Sequence, residues 1–362
     1  MMSRESLAMS IAPPHLLQPT PSSSSVAGNA SGLLTVVGIC LILGGLGCGT
    51  AVIGYTFALP MLIQSVPTGG GSVPGPADGL DAMQETMRPV MILNSITYGA
   101  VALGVAWLGI GSIRARRWAW KIALALGWLW VAVIILSVIS YSFIFPKLMN
   151  SFSVPASPGA PTLSGPVLTA IMIVSAGIGL MFYLSPGVML IVVYGLRNVR
   201  LTCERQDPNP CWTDRVPIPV LSFWLLLMFS LFTLLEFSPV YLGFIKFPGI
   251  SGLLPRPAVV LVCLTAALPA LGLACWDLAS MRIRGWWISL FLCLAGCASL
   301  IWNGFNLDLV SLNRELNMPE EDLKLLESLG KGALLLPTIF ISIPILGYVI
   351  WLKRFFQRPA QS

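Results

Sequence analysis

The chain has 362 residues, of which 56% are hydrophobic and 10% charged, and its formal net charge is +6. Soluble domains average about 25% charged residues, so a water-soluble globular protein is excluded. No continuous polar region is long enough to form an extramembrane domain, and any activity must therefore reside in the apolar segments or in their short loops.

The chain begins with a polar segment, residues 1–31, that contains four prolines and the serine run Ser22 to Ser25. Few aromatic or branched residues follow Ile11, so this segment cannot bury enough apolar surface to fold. Composition therefore predicts a disordered cytoplasmic tail over 1–31, and it gives no pattern of a cleavable signal peptide.

Eight apolar segments follow, and each is long and bare enough of charge to cross a hydrocarbon layer about 30 Å thick. They cover residues 33–63, 89–113, 118–145, 167–196, 220–245, 257–280, 286–302 and 333–352. Apolar residues at helical spacing predict a short interfacial helix near Leu80 to Met87 and an amphipathic helix over 317–330. The predicted fold class is all-α, a polytopic integral membrane helix bundle.

Positive charge is distributed unevenly between the two sides of such a bundle. With the N-terminus on the first side, that side receives 14 of the Lys and Arg residues and the other side 7. The positive-inside rule therefore predicts that both termini are cytoplasmic. The basic turns are expected to face anionic lipid headgroups of the bilayer, and nucleic acid is not an expected partner.

The second and sixth spans end in the same signature. Ser112-Ile-Arg-Ala-Arg-Arg-Trp118 returns 168 residues later as Ser280-Met-Arg-Ile-Arg-Gly-Trp286. This recurrence predicts two parallel four-helix repeats, over 32–200 and 217–354, joined by a cytoplasmic loop at 201–216 and followed by a cytoplasmic tail at 355–362. Chance similarity of two basic hairpins is the alternative.

Ionisable and polar residues within the spans are the candidates for a ligand site, because burying a charge in a membrane is costly. Asp277 is expected to pair with the basic turn that follows it. Glu236 is either a shallow, hydrated carboxylate or a ligand or proton site. Asn94, Tyr98 and Asn303 either hydrogen-bond between helices or line a polar path, and the sequence does not choose between these readings.

The densest polar chemistry lies in the segment 197–219, where a cytoplasmic protein could bind. The candidate partner-binding residues are Glu204, Arg205, Asp207, Trp212, Asp214 and Arg215. The bland reading is a charged linker in which Asp and Arg pair. Cys203 and Cys211 are isolated thiols without a nearby histidine, so we expect no metal site here.

Sequence motifs for catalysis are lacking. The only histidine, His15, lies in the predicted tail, and the chain has neither a Walker loop nor a dinucleotide fingerprint. No catalytic residue and no cofactor are expected, and an enzyme is the third hypothesis for this chain.

Two segments carry a resemblance to known proteins. The turn Gly109-Ile-Gly-Ser-Ile-Arg-Ala-Arg-Arg-Trp-Ala119 and the stretch from Thr202 to Val220, which includes Cys203-Glu-Arg-Gln-Asp-Pro208, resemble segments of uncharacterised bacterial multi-pass inner-membrane proteins. The resemblance implies a bacterial inner-membrane setting and carries no activity with it.

Two hypotheses of different classes remain for the function. The first is a non-catalytic accessory protein of the inner membrane whose cytoplasmic loop docks a partner. The second is a small-molecule or ion transporter that uses the cleft between the two repeats. A dry, close-packed interior would favour the first, and a hydrated path past Glu236 or Asn94 would favour the second.

Overall fold

The structure, a computed structural model, describes residues 24–65, 77–152, 165–236, 256–306 and 335–357. Within these ranges all regular secondary structure is α-helical. The ten helices are α1 (Ser24–Ser65), α2 (Ala77–Ile113), α3 (Arg117–Phe152), α4 (Gly165–Gly195), α5 (Arg197–Gln206), α6 (Trp212–Arg215), α7 (Ile218–Glu236), α8 (Arg256–Ala279), α9 (Ile283–Asn306) and α10 (Leu335–Phe356).

Eight of these helices are long and apolar enough to cross a membrane: α1 to α4 and α7 to α10. Helices satisfy every backbone hydrogen bond within the segment, which hydrocarbon requires of any spanning structure. The predicted fold class, an all-α polytopic helix bundle, is therefore confirmed. Helix α1 has 42 residues and would be about 63 Å long at about 1.5 Å per residue, so it tilts or projects beyond the hydrocarbon.

Helix boundaries differ from the sequence predictions in two places near the N-terminus. Helix α1 begins at Ser24, inside the segment predicted as a disordered tail, and Ala30 is buried against the core, so packing extends the helix toward the N-terminus. The predicted interfacial helix near Leu80 to Met87 is not separate, because α2 runs unbroken from Ala77 into the second span. The amphipathic helix predicted over 317–330, the rest of the tail and residues 358–362 lie outside the described residues.

Glycines bring neighbouring helices into close contact in the first half of the chain. A Cβ on Gly38 would lie 2.7 Å from the Gly109 carbonyl oxygen, and one on Gly45 would lie 2.9 Å from the Ala102 carbonyl oxygen, so α1 and α2 pack backbone against backbone. Glycines also bring α3 and α4 together, since a Cβ on Gly127 would lie 3.1 Å from the Gly187 carbonyl oxygen and one on Gly187 would lie 2.8 Å from the Trp130 ring.

Pro186 lies inside α4, which continues through it to Gly195. Proline has no N–H, which leaves the carbonyl four residues earlier without its helical donor. The Ser185 hydroxyl donates to the Phe182 carbonyl oxygen at 3.0 Å, and the Trp130 indole of α3 donates to the Tyr183 carbonyl oxygen at 2.7 Å. The Ser185 hydroxyl thus replaces the backbone donor that Pro186 lacks, and the Trp130 indole ties the same turn to α3.

Two hydrophobic cores form within the bundle, one in each half of the chain. Helix α3 joins them, because it packs on α2 and α4 of the first half and on α7 and α10 of the second. Where the halves meet, Ala125 and Leu221 are fully buried, and the Ser222 hydroxyl donates to the Ala125 carbonyl oxygen at 3.0 Å. This described part of the boundary between the halves is close-packed.

The two basic hairpins have the same backbone geometry. In each, a residue other than glycine adopts a left-handed conformation, Ala115 with φ 45° and Met281 with φ 54°. The next amide, Arg116 or Arg282, donates to a carbonyl oxygen five residues earlier, which is the Schellman pattern of helix ends. Equivalent positions are 166 residues apart in the structure, whereas the sequence signature repeats at 168.

The offset changes which tryptophans correspond. The third span of each half, α3 or α9, starts three residues before a buried tryptophan, which is Trp120 in α3 and Trp286 in α9. The Trp120 indole donates to the Tyr194 carbonyl oxygen of α4, and the Trp286 indole donates to the Val349 carbonyl oxygen of α10, both at 2.7 Å. Trp120, and not the Trp118 of the sequence match, thus has the role of Trp286.

Contacts place both hairpins at the same end of the bundle, which we call the basic end. Arg117 after the first hairpin donates to Pro208 in the segment that leads into α7. The Tyr348 hydroxyl, near the end of α10, donates to the Pro219 carbonyl oxygen at the start of α7. Lys353, one turn further along α10, packs on Trp286 after the second hairpin.

Candidate docking surface at the basic end

The segment 197–217 is folded, although the sequence suggested a charged linker. Helix α5 begins where Leu196 breaks from α4 in an extended conformation, and its buried residues Val199, Thr202 and Cys203 recur at helical spacing. Their burial against the first core holds the helix to the end of the bundle. We call residues 197–217 the polar cap.

The second part of the polar cap is the short helix α6, which starts with a capping box. The Cys211 backbone N–H donates to the Asp214 carboxylate oxygen Oδ2 at 3.1 Å, three residues further on. The Cys211 Sγ lies 2.9 Å from the Thr213 hydroxyl, and Thr213 is fully buried. These local bonds fix Asp214 in one position.

Ion pairs tie the polar cap to the first hairpin and to the start of α3. Arg116 pairs with Asp207 at 3.6 Å, and Asp214 pairs with both Arg117 at 3.4 Å and Lys121 at 3.6 Å. The Lys121 ammonium also donates to the Thr213 and Asp214 carbonyl oxygens at 2.8 and 3.0 Å. The Lys121 and Asp214 side chains are 15% and 19% exposed, so solvent screens this pair less than a surface pair.

The six candidate partner-binding residues have different roles in this arrangement. Asp207 and Asp214 face inward, toward the hairpin cations. Glu204 pairs with Arg200 one turn earlier, at 2.8 Å. The predicted pairing of Asp with Arg thus involves arginines outside this segment, in the preceding hairpin, and the ion pair described within the segment is formed by Glu204.

The remaining candidates are exposed side chains of the cap. Trp212 is 43% exposed and packs edge-on against Trp224 of α7, with ring centroids 5.5 Å apart. Arg205 and Arg215 are exposed. The cap thus exposes an aromatic ring and two guanidinium groups, while ion pairs with Arg116, Arg117 and Lys121 hold its backbone in place.

Cys203 is a free, buried thiol on α5. Burial, together with the negative charges of Asp207 and Glu204, raises the pKa of Cys203 to about 12. A thiolate is the species that binds metals and attacks electrophiles, so this side chain is inert near neutral pH. Within the described residues, no group of three or more His, Cys, Asp or Glu side chains could hold a metal ion.

The candidate ligand residues in the spans are not brought together by the described contacts. Asn94 is half-buried, and Tyr98, one turn later on α2, is 45% exposed. Glu236 is the last residue of α7 and Asn303 lies near the end of α9, and both side chains lie outside the described part of the structure. Several span hydroxyls bond to carbonyls of their own helices, as Ser140 does with Leu136.

Asp277 pairs with the second hairpin, as predicted. Its carboxylate is fully buried and accepts two hydrogen bonds from Arg284, one from Nε at 2.6 Å and one from Nη2 at 3.1 Å. Arg282 lies 3.7 Å from the same carboxylate. The carboxylate therefore anchors both arginines of the hairpin.

Sequence reasoning missed the residues that hold the polar cap. Nothing in the sequence indicates that Trp120 is buried or that Lys121 is directed toward the cap, as the structure shows. Sequence reasoning also missed the buried contact between the Ser112 and Tyr194 hydroxyls, which joins α2 to α4. The available signal was the excess of cations at 114–121 over acids in the same hairpin, which favours pairing with carboxylates from another segment of that side.

No protein-family description matches this chain, and no curated protein sequence or solved structure is detectably similar to it. The geometry of the described residues is therefore the basis for a functional assignment.

Proposed function

We propose that this integral membrane protein is a non-catalytic accessory protein of the bacterial inner membrane, and that its polar cap docks a cytoplasmic protein. The observation that carries the proposal is the folded state of the cap. Ion pairs from Asp207 and Asp214 hold its backbone, while Arg205, Trp212 and Arg215 stay exposed. A surface ordered in advance loses less conformational entropy on binding, and exposed Trp and Arg are enriched at binding hot spots.

The cytoplasmic orientation of the cap rests on the charge distribution of the chain. The side that carries both hairpins and the cap holds 14 Lys and Arg residues, and the other side holds 7. The bacterial setting rests on the resemblance of 109–119 and 202–220 to segments of multi-pass inner-membrane proteins.

The close-packed boundary between the halves favours docking over transport. Ala125, Leu221 and Phe223 are almost completely buried there, and the Ser222 hydroxyl is satisfied by a backbone carbonyl. Among the described residues, the buried carboxylate nearest to a span interior is Asp277, and two arginines neutralise it. A coupled carrier would need a polar path or a titratable group free to change its charge.

We also propose that residues 32–200 and 217–354 are two copies of one four-span unit. Support comes from the hairpins, which share a left-handed residue at Ala115 and Met281, and from Trp120 and Trp286, which share an indole bond to the fourth span. Cations pack over both indoles, Arg200 at 5.6 Å and Lys353 at 5.3 Å. The repeat would then be read at a shift of 166 residues at the hairpins and third spans, and at a shift of 155 for the indole acceptors Tyr194 and Val349 in the fourth spans.

Photo-crosslinking in living cells tests the docking proposal. A photoreactive amino acid at the exposed Gln206 of the cap should give a protein adduct of defined mass, and the same group at the exposed Ser280 of the second hairpin should not. Asp214→Asn should weaken the adduct, because this change removes the charge that fixes the cap to Arg117 and Lys121.

Adducts of equal yield from both positions, or an adduct at Gln206 that Asp214→Asn leaves unchanged in a normally expressed chain, would contradict docking at the ordered cap. The absence of any protein adduct, together with ion or solute flux in liposomes that contain the purified protein, would favour the transporter.

A further inference from the structure

Charge is balanced differently at the two hairpins of the basic end. At the first, Asp207 and Asp214 of the polar cap face Arg116, Arg117 and Lys121. At the second, Asp277 is the only acidic residue in the sequence ranges 256–306 and 335–357. The second hairpin and the neighbouring end of α10 thus carry uncompensated positive charge.

The buried Asp277 carboxylate holds the guanidinium groups of this second hairpin in place. Both oxygens of the buried Asp277 carboxylate accept from Arg284, and Arg282 lies at 3.7 Å. The two arginine side chains are nevertheless 59% and 60% exposed. A guanidinium has five N–H donors, so Arg284 keeps three of them for a group that approaches from outside.

Helix α10 adds a third fixed cation. The Lys353 ammonium lies 5.3 Å from the ring centre of Trp286 and 5.6 Å from that of Trp287, within the range of cation–π attraction. Trp286 is itself fixed by its bond to the Val349 carbonyl oxygen, one turn before Lys353. The ammonium therefore stands beside the first turn of α9, where Arg284 also lies.

These three cations lie where membrane spans end. Ala279 ends one span, Ile283 begins the next, and the span of α10 ends at Phe356. Lipid phosphates occupy this depth, just outside the hydrocarbon. Ile283 and Trp287 are 43% and 55% exposed beside the cations and offer an apolar flank for an acyl chain.

We propose that Arg282, Arg284 and Lys353 form a binding site for the phosphate group of an anionic membrane lipid. Three cations against one carboxylate leave a net formal charge of +2, and arginine donors match phosphate oxygens in geometry. The proposal is independent of docking at the polar cap, because it uses the other hairpin and none of the cap residues.

Titration of the purified full-length protein in neutral detergent tests the site, with bound lipid counted by native mass spectrometry. Phosphatidylglycerol should bind more tightly than phosphatidylcholine, which has the same phosphate but no net charge. Arg282→Gln and Lys353→Gln should each weaken phosphatidylglycerol about tenfold, the factor expected when one charge-assisted contact is lost. Both variants leave the anchoring pair of Arg284 and Asp277 intact.

The matched control is Arg116→Gln, which removes an exposed cation from the first hairpin, where Asp207 already neutralises it. It should leave phosphatidylglycerol affinity unchanged. Equal affinity for the two lipids, or an equal loss with Arg116→Gln, would overturn the proposal. Displacement of phosphatidylglycerol by millimolar inorganic phosphate would assign the site to a soluble phosphate and overturn the lipid as its occupant.

Discussion

Two buried tryptophans make the same kind of hydrogen bond in the two halves of the molecule. Trp120 and Trp286 are 8% and 3% exposed, each begins a third span, and each indole N–H donates to a carbonyl oxygen of the fourth span at 2.7 Å. A buried indole N–H needs such an acceptor, since an unsatisfied donor in an apolar environment is costly. These residues therefore fix the distance between the third and fourth spans in each half.

Replacing either tryptophan by phenylalanine should lower the free energy of unfolding by at least about 1 kcal/mol, because the hydrogen bond is lost along with part of the ring. The two losses should be similar and additive, since the sites lie in different cores. Thermal unfolding in detergent measures the effect. Trp128→Phe is the control, because Trp128 is 53% exposed, and it should change stability by less than about 0.5 kcal/mol. An effect of Trp128→Phe as large as the others would contradict the assigned role.

The buried thiol of Cys203 offers a second test at single residues. With a pKa of about 12, only about one molecule in ten thousand carries the thiolate at pH 8. Because the pKa of Cys203 is raised, its thiol stays protonated as the pH passes the ordinary thiol pKa. The reactive thiolate becomes abundant only as the pH approaches 12. Cys203 should therefore resist maleimide at pH 8 in the folded protein and react after unfolding, as peptide mass spectrometry would report. Rapid modification of the folded chain would show that the polar cap opens readily.

At the level of elements, the close approach of α1 and α2 depends on glycines at defined positions. A Cβ on Gly109 would lie 2.6 Å from the Gly38 carbonyl oxygen, and a backbone atom cannot move away without shifting the helix. The Gly45-x-x-x-Gly49 motif belongs to the same contact, since a Cβ on Gly49 would lie 3.2 Å from the Ala102 Cβ. Small residues thus set the separation of these two spans.

Gly109→Ala should destabilise the protein by about 1 to 3 kcal/mol, the usual cost of forcing atoms into a packed interface. Gly104→Ala on the same helix should be neutral or stabilise by up to about 1 kcal/mol, because a Cβ there meets nothing within 4 Å and alanine favours helix. Denaturation of both variants in the same detergent gives the comparison. Equal destabilisation by the two changes would contradict the view that the close contact at Gly109 sets the separation of α1 and α2.

The spans could be predicted from sequence because a segment that crosses hydrocarbon must be a continuous run of mostly apolar, uncharged residues. The hairpins were predictable too, since Arg114 to Arg117 leave no room for another element. The polar cap was not, because its helices depend on pairs such as Lys121 with Asp214, which are 93 residues apart. Hydrophobic periodicity and composition do not indicate such a distant pairing. The buried face of α5 also gives a weak signal, because it consists of only Val199, Thr202 and Cys203.

The offset of the hairpins has a related cause. The sequence match aligned Trp118 with Trp286 through charge and aromatic identity, whereas the backbone aligned Ala115 with Met281. A left-handed residue at a helix end is chosen by packing and by the Schellman bonds, and alanine and methionine give no sign of it in the sequence. Of the candidate site, the sequence could indicate the charged residues but not which of them would face inward.

On the scale of the whole molecule, one end of the bundle differs chemically from the rest. Both hairpins, the polar cap and the end of α10 lie there, and contacts such as Tyr348 with Pro219 connect them across the two halves. Most described charges of the chain are at this end, and the apolar spans extend away from it. The proposed docking of a cytoplasmic protein requires that this end face the cytoplasm.

Labelling of engineered cysteines in intact cells tests this arrangement most directly. An impermeant maleimide, applied from outside and compared with the unsubstituted chain, should not label Asn209→Cys in the polar cap or Ser280→Cys in the second hairpin, and both should label after the membrane is permeabilised. Cysteines at Ser72, Ser157 and Ser328 should label from outside. Labelling of either basic-end position in intact cells, or opposite behaviour of Asn209→Cys and Ser280→Cys, would contradict an eight-span bundle with a single cytoplasmic basic end.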